Sequence, residues 1–421
     1  MPFRLFLFLL ASISCVDAQS FVSVKGSQLL KERKPFYFVG TNYWYGSLVA
    51  SDPNKSRGID RVRRDLDFLK KNGITNLRLM GGAEGTGLLN GVPRVGPSFQ
   101  TDQGVFIESA LDGLDIVLDE MAKRDMRAVI FVSNNWEWSG GFQQYLIWNN
   151  AISKEWLTNK PDWDTLRDLV AKFYDCALCK YSYARQAARL VRRVNTINGK
   201  RYREDPTIMA WQIANEPRPM RPAAIGSYKK WIAETALQFK NIAPNQLVSV
   251  GHEGWVGSEG IEVYESIHAD RNVDYLTIHI WPKNWGWFAD GRMADEYSKF
   301  RDETVKYIND HLAVARKLNK PLVIEEFGLP RDGQSFDPSS MTKVRDRYFT
   351  EVLSFIREDP HVAGANFWAF GGDIRPPDLW WKPGAEYTGD PPMEQQGLYS
   401  VFAFDRSTWK TIRSKANRVR R

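Results

Sequence analysis

The most constraining feature of the sequence is a regular alternation of short apolar segments with longer segments of helical periodicity. Short runs rich in aliphatic and β-branched residues predict strands at residues 36–40, 76–80, 127–133, 208–214, 247–251, 275–280, 321–326 and 363–369. Helical spacing of apolar residues predicts helices at 60–71, 109–123, 182–194, 225–241, 296–318 and 341–358. Strands that alternate with helices form parallel sheets, because each return crossing needs a helix.

The number of strand–helix units predicts an α/β fold in which the sheet closes into a (β/α)₈ TIM barrel. One large domain of this kind accommodates most of a 421-residue chain. The alternative is an open, doubly wound sheet. Such a sheet usually carries a glycine-rich phosphate loop after its first strand, and here that strand is followed by Thr41, Asn42, Tyr43 and Trp44.

The N-terminus has the pattern of a secretory signal peptide. Arg4 precedes an apolar run, and Val16-Asp17-Ala18 has the small-x-small form of a cleavage site. We therefore expect a signal peptide over residues 1–18, a catalytic domain over residues 19–421, and secretion to the extracellular space. A buried strand or a lipid attachment at Cys15 are the alternatives. No later segment is apolar for long enough to span a membrane.

Charge and cysteine usage limit the classes of partner. The formal net charge is +7, and six basic residues crowd the last twelve positions, which favours a solvated terminal helix or tail. Nucleic-acid binding is not expected without a recognition motif, whereas an acidic matrix stays open as a partner.

Cys176 and Cys179 predict a local disulfide in an oxidising compartment. No metal-ligand motif is present, so we expect neither a metal nor an organic cofactor.

Polar and aromatic residues follow almost every predicted strand. In a (β/α)₈ barrel the carboxyl ends of the strands form one face, and catalysis takes place there. The residues in question are Thr41 to Tyr45, Arg78, Asn134 to Trp136, Asn215 to Arg218, His252 to Trp255, His279, Trp281, Glu325 to Gly328 and Trp368.

Two glutamates at opposite strand ends point to glycosidic bond cleavage. Glu216 follows the fourth strand and Glu326 ends the seventh, so they can face each other across the barrel mouth. Hydrolysis of a glycosidic bond needs two carboxyl groups in this relation. Side chains alternate along a strand, so at most one of Glu325 and Glu326 should point into the mouth. The pattern alone does not decide between them.

Tryptophan is abundant, with sixteen in the chain. Several cluster near glycine, asparagine and proline, in segments that the strand and helix patterns leave as loops. An indole offers a broad apolar surface with one N–H donor, which suits the C–H faces of sugars. The tryptophans therefore favour a carbohydrate substrate.

The series of strand-end segments resembles glycoside hydrolase family 5, and within it the endo-β-1,4-mannanase branch. The resemblance spans nearly the whole chain after residue 18. It is carried by Gly40-Thr41-Asn42-Tyr43-Trp44, Leu77-Arg78, Phe131 to Trp136, Trp211 to Arg218, Gly251 to Trp255, His279-Ile280-Trp281-Pro282, Glu325-Glu326-Phe327-Gly328 and Phe367-Trp368.

The resemblance implies a role for each residue of the site. Glu216 would be the acid/base and Glu326 the nucleophile. The implied substrate-binding residues are Arg78, Asn135, Trp136, Asn215, Arg218, His279, Trp281 and Trp368. One position departs from the family, which usually has Tyr where Trp281 stands. An indole can donate a hydrogen bond but cannot accept one.

The sequence therefore leads us to expect a secreted, monomeric, retaining endo-β-1,4-mannanase. Its substrates would be polysaccharides, namely mannan, glucomannan and galactomannan. A barrel mouth lined with aromatic residues predicts an open cleft and attack on internal bonds. The alternatives are another family 5 β-1,4-glycanase, such as a cellulase, and a glycan-binding protein without catalysis.

Overall fold

A parallel sheet of eight strands forms the centre of the molecule. The computed structural model describes residues 20–420, so the predicted signal peptide, residues 1–18, lies outside the described residues. We number the sheet strands β1 (Phe38–Asn42), β2 (Asn76–Met80), β3 (Arg127–Phe131), β4 (Ile208–Gln212), β5 (Leu247–Ser249), β6 (Leu276–Ile280), β7 (Leu322–Phe327) and β8 (Val362–Phe367).

The sheet closes on itself as a barrel. Its order is β5-β4-β3-β2-β1-β8-β7-β6, and every neighbouring pair is parallel. Backbone hydrogen bonds join the two edge strands, β5 and β6. Asp274 N donates to Val248 O at 2.8 Å, and His279 N donates to Glu253 O at 2.9 Å. The predicted (β/α)₈ barrel is therefore confirmed, and the open doubly wound sheet is wrong.

Helices surround the barrel. They are α1 (Gly46–Ala50), α2 (Lys55–Lys71), α3 (Glu108–Ala122), α4 (Gly141–Trp148), α5 (Trp163–Ala171), α6 (Ala177–Val191), α7 (Ile225–Ile242), α8 (Ile261–His268), α9 (Tyr297–Leu318), α10 (Lys343–Glu358) and α11 (Arg406–Arg420). The six helices predicted from periodicity are α2, α3, α6, α7, α9 and α10, each within about five residues of its expected ends. Their apolar stripes pack on the sheet, which is why the pattern reveals them.

A small antiparallel sheet closes the amino end of the barrel. It consists of Ser23–Lys25, Gln28–Lys31 and Lys34–Pro35. Leu29 of this sheet belongs to one buried cluster with Phe38 and Val129, which lie in β1 and β3. Because apolar side chains fill this end, the carboxyl end is the one left for a polar site.

The basic C-terminus is the expected terminal helix, and its basic side chains Lys410, Arg413 and Arg418 are exposed while its other face is buried. Trp409, Ile412 and Ala416 of α11 are buried. The Arg413 guanidinium donates to Asn72 Oδ1 at 2.7 and 3.1 Å, which fixes α11 beside the end of α2. No helix among residues 20–420 is long and apolar enough to cross a membrane.

Three long segments rise above the carboxyl end. Residues 81–107, between β2 and α3, form two small hairpins, Leu88–Leu89 with Val92–Pro93 and Gln100–Asp102 with Val105–Phe106. The segment after β3 carries α4 and α5, and residues 368–405 join β8 to α11. The segments after β3 and β8 line a cavity at this end of the barrel.

Candidate active site

A cavity of about 330 Å³ opens at the carboxyl end of the barrel. Its lining comes from the ends of β3 to β8 and from the segments that follow them. The lining residues are Trp136, Trp138, Trp163, Asn215, Glu216, Arg218, Val256, Trp281, Asn284, Trp285, Glu326, Trp368, Pro391, Met393 and Glu394. The cavity therefore contains both glutamates that the sequence singled out.

Glu216 is held by two hydrogen bonds just beyond the end of β4. The Trp136 indole N–H donates to Glu216 Oε2, and Glu216 Oε1 lies 2.6 Å from His279 Nδ1. The backbone of Glu216 has a φ of 49°, in the left-handed region that side chains other than glycine seldom occupy. Such strain is typical of residues whose position serves a site.

Glu326 lies across the cavity mouth, close to Glu216. The Arg78 guanidinium donates to Glu326 Oε1, and His279 Nδ1 lies 3.3 Å from Glu326 Oε2. One polar side-chain atom from each of Glu216, His279 and Glu326 lies within 4.8 Å of the others. The barrel therefore brings together the two carboxyl groups that the sequence placed on opposite strands.

The structure separates Glu325 from Glu326. Both oxygens of Glu325 accept from Gln212 Nε2, at 2.8 and 2.7 Å, inside the barrel below the cavity. The pairing of β6 with β7 skips one residue here, since His279 pairs with Glu326 while Ile278 pairs with Ile324. This bulge lets neighbouring glutamates both face inward at different depths, which strict alternation would forbid. Only Glu326 lines the cavity.

Arg78 organises the floor of the site. Its side chain is fully buried, and its Nη2 donates to Asn215 Oδ1 at 2.7 Å while its Nε donates to Gln212 Oε1 at 2.7 Å. Arg78 Nη1 also donates to Asn42 Oδ1 at 3.2 Å. A planar guanidinium with fixed donors can hold several oxygens in one geometry, including that of Glu326.

His279 couples the two glutamates electrostatically. Burial lowers the pKa of His279, but the charge of Glu326 and the hydrogen bond with Glu216 outweigh it and raise the pKa to about 10. Burial raises the pKa of Glu216, yet the contact with His279 brings it down to about 2. Burial raises the pKa of Glu326 to about 7, against the attraction of His279 and Arg78. Glu216 and His279 therefore titrate together as one pair, which carries its proton on His279.

Arg218 lies on the other side of Glu216. Its guanidinium makes a bidentate contact with Glu253, with Nη2 2.7 Å from Oε1 and Nε 3.1 Å from Oε2. The Arg218 guanidinium carbon lies 5.0 Å from the Trp136 ring centre, over the ring face. The ion pair and the ring fix this cation beside the acid group.

The remaining residues implied by the resemblance occupy different layers. Trp281 and Trp368 line the cavity with ring centres 6.0 Å apart, and the indole nitrogen of Trp368 is buried without a hydrogen-bond partner. Arg78 and His279 lie directly beneath the lining. Asn135 is also buried, with both amide atoms unpartnered, and it does not reach the cavity lining.

Trp281, the position that departs from the family, packs edgewise in the wall. Its ring centre lies 4.9 Å from that of Tyr399. Glu326 receives its hydrogen bond from Arg78, and His279 lies next to it. Arg78 and His279 therefore provide polar contacts to Glu326 although Trp281 stands where the family usually has tyrosine.

Several lining residues were not predicted. Trp163 is the first residue of α5, and Glu394 lies in the segment between β8 and α11. Glu394 Oε2 is buried without a hydrogen-bond partner, and burial raises the pKa of this carboxyl. Neither residue follows a strand, so strand-end reasoning had no means of finding them. The one signal that the sequence offered for Trp163 was a tryptophan flanked by Asp162 and Asp164 in a polar segment.

The trio Glu216, His279 and Glu326 is also the set, among residues 20–420, whose ligand atoms lie close enough to hold a cation. The positively charged Arg78 guanidinium is already in contact with the Glu326 carboxylate. A second cation would meet electrostatic repulsion there. The donor set therefore fits proton transfer better than metal binding.

The (β/α)₈ barrel with two facing glutamates at its carboxyl end has the fold and the carboxyl pair of a glycoside hydrolase. Residues 19–421 match the family model described as GH family 5 β-mannosidase-like. The chain belongs to this family of glycoside hydrolases.

Sequence relatives and a solved structure agree with that assignment. The mannan endo-1,4-β-mannosidase 1 of Oryza sativa subsp. japonica is 28% identical over 418 residues, covering 95% of this chain and 86% of the relative. The enzyme of the same name from Solanum lycopersicum is 28% identical over 86% of each chain. The structure of a glycoside hydrolase family 5 mannosidase from Rhizomucor miehei superposes with a TM-score of 0.86 at 30% identity, covering 95% of this chain and 97% of that one.

Proposed function

We propose that the protein hydrolyses β-1,4-mannosidic bonds of mannans with retention of configuration. The observation that carries this proposal is the closeness of Glu216 and Glu326, whose nearest polar atoms lie within 4.8 Å together with His279. Retaining enzymes place their carboxyl groups about 5–5.5 Å apart, whereas inverting enzymes need about 6.5–9.5 Å to admit a water molecule.

The proposed reaction has two displacement steps. A carboxylate oxygen of Glu326 attacks the anomeric carbon while the bond to the leaving oxygen breaks and Glu216 gives that oxygen a proton. Water then attacks the anomeric carbon of the glycosyl ester, Glu216 takes its proton, and the Glu326 carboxylate leaves. The proton shared with His279 is the one that Glu216 delivers. Arg78 stabilises Glu326 as the leaving carboxylate, because its buried charge opposes protonation.

The choice of a mannan substrate rests on the relatives. The two plant proteins are named for action on mannan, and the Rhizomucor miehei structure is that of a mannosidase. We extend the proposal to glucomannan and galactomannan, which share the same backbone bond. We also propose secretion to the extracellular space, supported by the apolar N-terminal segment and its small-x-small site.

The mode of attack has two candidates. Internal attack needs a cleft that continues on both sides of the two glutamates, as we expected from the aromatic strand ends. One wall observation favours attack at chain ends instead. Tyr387, from the segment after β8, bonds to the backbone of Gly96, from the segment after β2, with both contacts at 2.7 Å. The Trp44 indole donates to Gly389 O at 2.8 Å beneath this junction.

This junction joins the segments that follow β2 and β8 on the β1 side of the barrel. The cavity lining comes from β3 to β8 and their following segments, and no described residue of the β1 or β2 ends contributes to it. A polysaccharide would then enter from one side only. Terminal release of mannose is therefore the second candidate.

One set of assays tests the proposal and separates the candidates. Initial rates should be highest on mannan and lower on soluble cellulose and xylan, with no activity in Glu326→Ala. A faster rate on cellulose would support the cellulase alternative, and binding without new reducing ends would support the non-catalytic alternative. A rapid fall in mannan viscosity indicates internal attack, whereas mannose as the sole early product indicates terminal attack.

A further inference from the structure

An exposed tryptophan shares the cavity with the two glutamates. Trp163 lines the cavity but leaves 50% of its surface exposed. What distinguishes this ring from other exposed aromatic side chains is that it lines the cavity, where its apolar face can contact a bound sugar. Trp163 has no role in the two displacement steps of the proposed reaction.

The contacts of Trp163 place it on the side of Glu216 away from Glu326. His279 contacts Glu216 Oε1, and the same imidazole nitrogen lies next to Glu326. Trp136 donates to the other oxygen of Glu216, Oε2, and its ring packs beside that of Trp163. The rings of Trp136 and Trp163 are nearly parallel, with centres 6.3 Å apart and an interplanar angle of 26°. The nucleophile and Trp163 thus lie on opposite sides of the acid.

The start of α5 is firmly attached to the segment that follows β4. Asp162 caps the helix by accepting from Thr165 N at 2.8 Å. Arg167 Nε donates to Met220 O at 2.7 Å, and Arg221 pairs with Asp168 at 2.6 Å. Several such contacts together hold the ring in place before any ligand arrives, so little ordering entropy remains to oppose binding.

We propose that Trp163 is a specificity-determining residue that binds the second sugar of the leaving group. The inference rests on the proposed function, since it takes Glu216 as the acid that protonates the leaving oxygen. The first leaving sugar then lies beside Trp136 and Arg218. The next one reaches the exposed indole of Trp163, whose apolar face suits a sugar C–H face. Substrates with two or more sugars beyond the cleaved bond gain this contact.

The test compares two substrates that differ in leaving group. A 4-nitrophenyl β-mannoside has no sugar beyond the cleaved bond, whereas β-1,4-mannopentaose can place several there. The measured quantity is the ratio of kcat/KM for mannopentaose to kcat/KM for the aryl mannoside. We expect Trp163→Ala to lower this ratio about fivefold to tenfold, and Trp163→Phe to restore most of it because a flat apolar face remains.

Tyr181 provides a matched control on α6. It is 62% exposed and has the Arg185 guanidinium carbon 5.9 Å from its ring centre, the same distance that separates Arg218 from Trp163. Tyr181 does not line the cavity, so Tyr181→Ala should leave the ratio unchanged.

Three results would overturn the inference. Wild-type kcat/KM on both substrates in Trp163→Ala would show that its ring binds no leaving sugar. Equal losses on both substrates would assign it a structural role beside Glu216. A wild-type protein that cleaves neither substrate would overturn the proposed function and the inference with it, whereas an active wild type with an unchanged ratio overturns the inference alone.

Discussion

His279 Nδ1 lies 2.6 Å from Glu216 Oε1, so the proposed acid shares its proton with a buried imidazole. The same nitrogen is 3.3 Å from Glu326 Oε2. One imidazole therefore adjusts the charge of both carboxyl groups, raising the acidity of each while it is protonated. The pH dependence of the reaction should report this triad as a unit.

The first prediction concerns the pH profile of kcat/KM. Glu326 must be ionised, and burial raises its pKa to about 7, so the rate should climb as pH approaches that value. The Glu216–His279 pair must keep its proton, and the pKa of His279 is raised to about 10, so the rate should fall as pH nears it. His279→Gln removes the imidazole that holds this proton, so the alkaline limb should move to lower pH by more than about one unit.

His361 is the control for this substitution. It directly precedes β8, its ring contacts Asp359, and it does not line the cavity. His361→Gln should keep both limbs of the wild-type profile. An alkaline limb that stays in place in His279→Gln would mean that His279 does not share the acid's proton.

A second prediction concerns stability and Glu84, which anchors the segment after β2. Glu84 is buried, and it accepts from Gly141 N and Tyr145 Oη, both at 3.1 Å. Burial raises its pKa to about 7, above the unfolded value of about 4.3. The stability that comes from its protonated form is present below about pH 4 and is lost as pH rises through about 7.

Glu84→Gln should remove that dependence. Between pH 4 and pH 8, the free energy of unfolding of the wild type should fall by roughly 3 kcal/mol more than that of the variant. Chemical denaturation at several pH values measures both. Parallel curves for the two proteins would show that Glu84 does not titrate as its burial implies.

A third prediction concerns Cys176 and Cys179, which the structure joins by a disulfide at the start of α6. The closed loop is short, so replacing both residues with serine should cost at most about 2 kcal/mol. Serine at position 176 can still cap the helix, as Cys176 Sγ now does by accepting from Cys179 N at 3.2 Å. We expect kcat/KM to stay within about twofold, because the bond lies away from the cavity lining.

Mass spectrometry checks the bond itself. Alkylation of the unreduced protein should modify neither cysteine. Stoichiometric labelling of both would show free thiols and contradict the pairing.

Much of the barrel could be predicted because its strands are short apolar runs with both faces buried. Asn76–Met80 matches the predicted bounds, and the other strands differ by one or two residues at one or both ends. The differences arise where a buried run continues past the last ladder bond, as after Phe131 and Gln212. The number of strand–helix units predicted a closed barrel. The geometry of parallel barrels then predicted that the polar residues after the strands would meet at one face.

The rest of the site depended on contacts that leave no local pattern. The bulge beside Glu325 is set by pairing with β6, so alternation along β7 could not choose between the two glutamates. Trp163 reaches the cavity because charged residues of α5 meet Arg221 and Met220, about fifty positions later. The resemblance implied a substrate contact for Asn135, whose buried amide has no hydrogen-bond partner and is not part of the cavity lining.

The most direct test of the account is azide rescue of the two proposed catalytic variants. With an activated aryl β-mannoside, Glu326→Ala should form no glycosyl-enzyme, and azide should attack once to give an α-mannosyl azide. Glu216→Ala should still form the intermediate, and azide should intercept it to give a β-mannosyl azide. Glu325→Ala, provided that it folds, should need no rescue. An α-azide from Glu325→Ala instead, or products of one configuration from both variants, would contradict the roles assigned to Glu326 and Glu216.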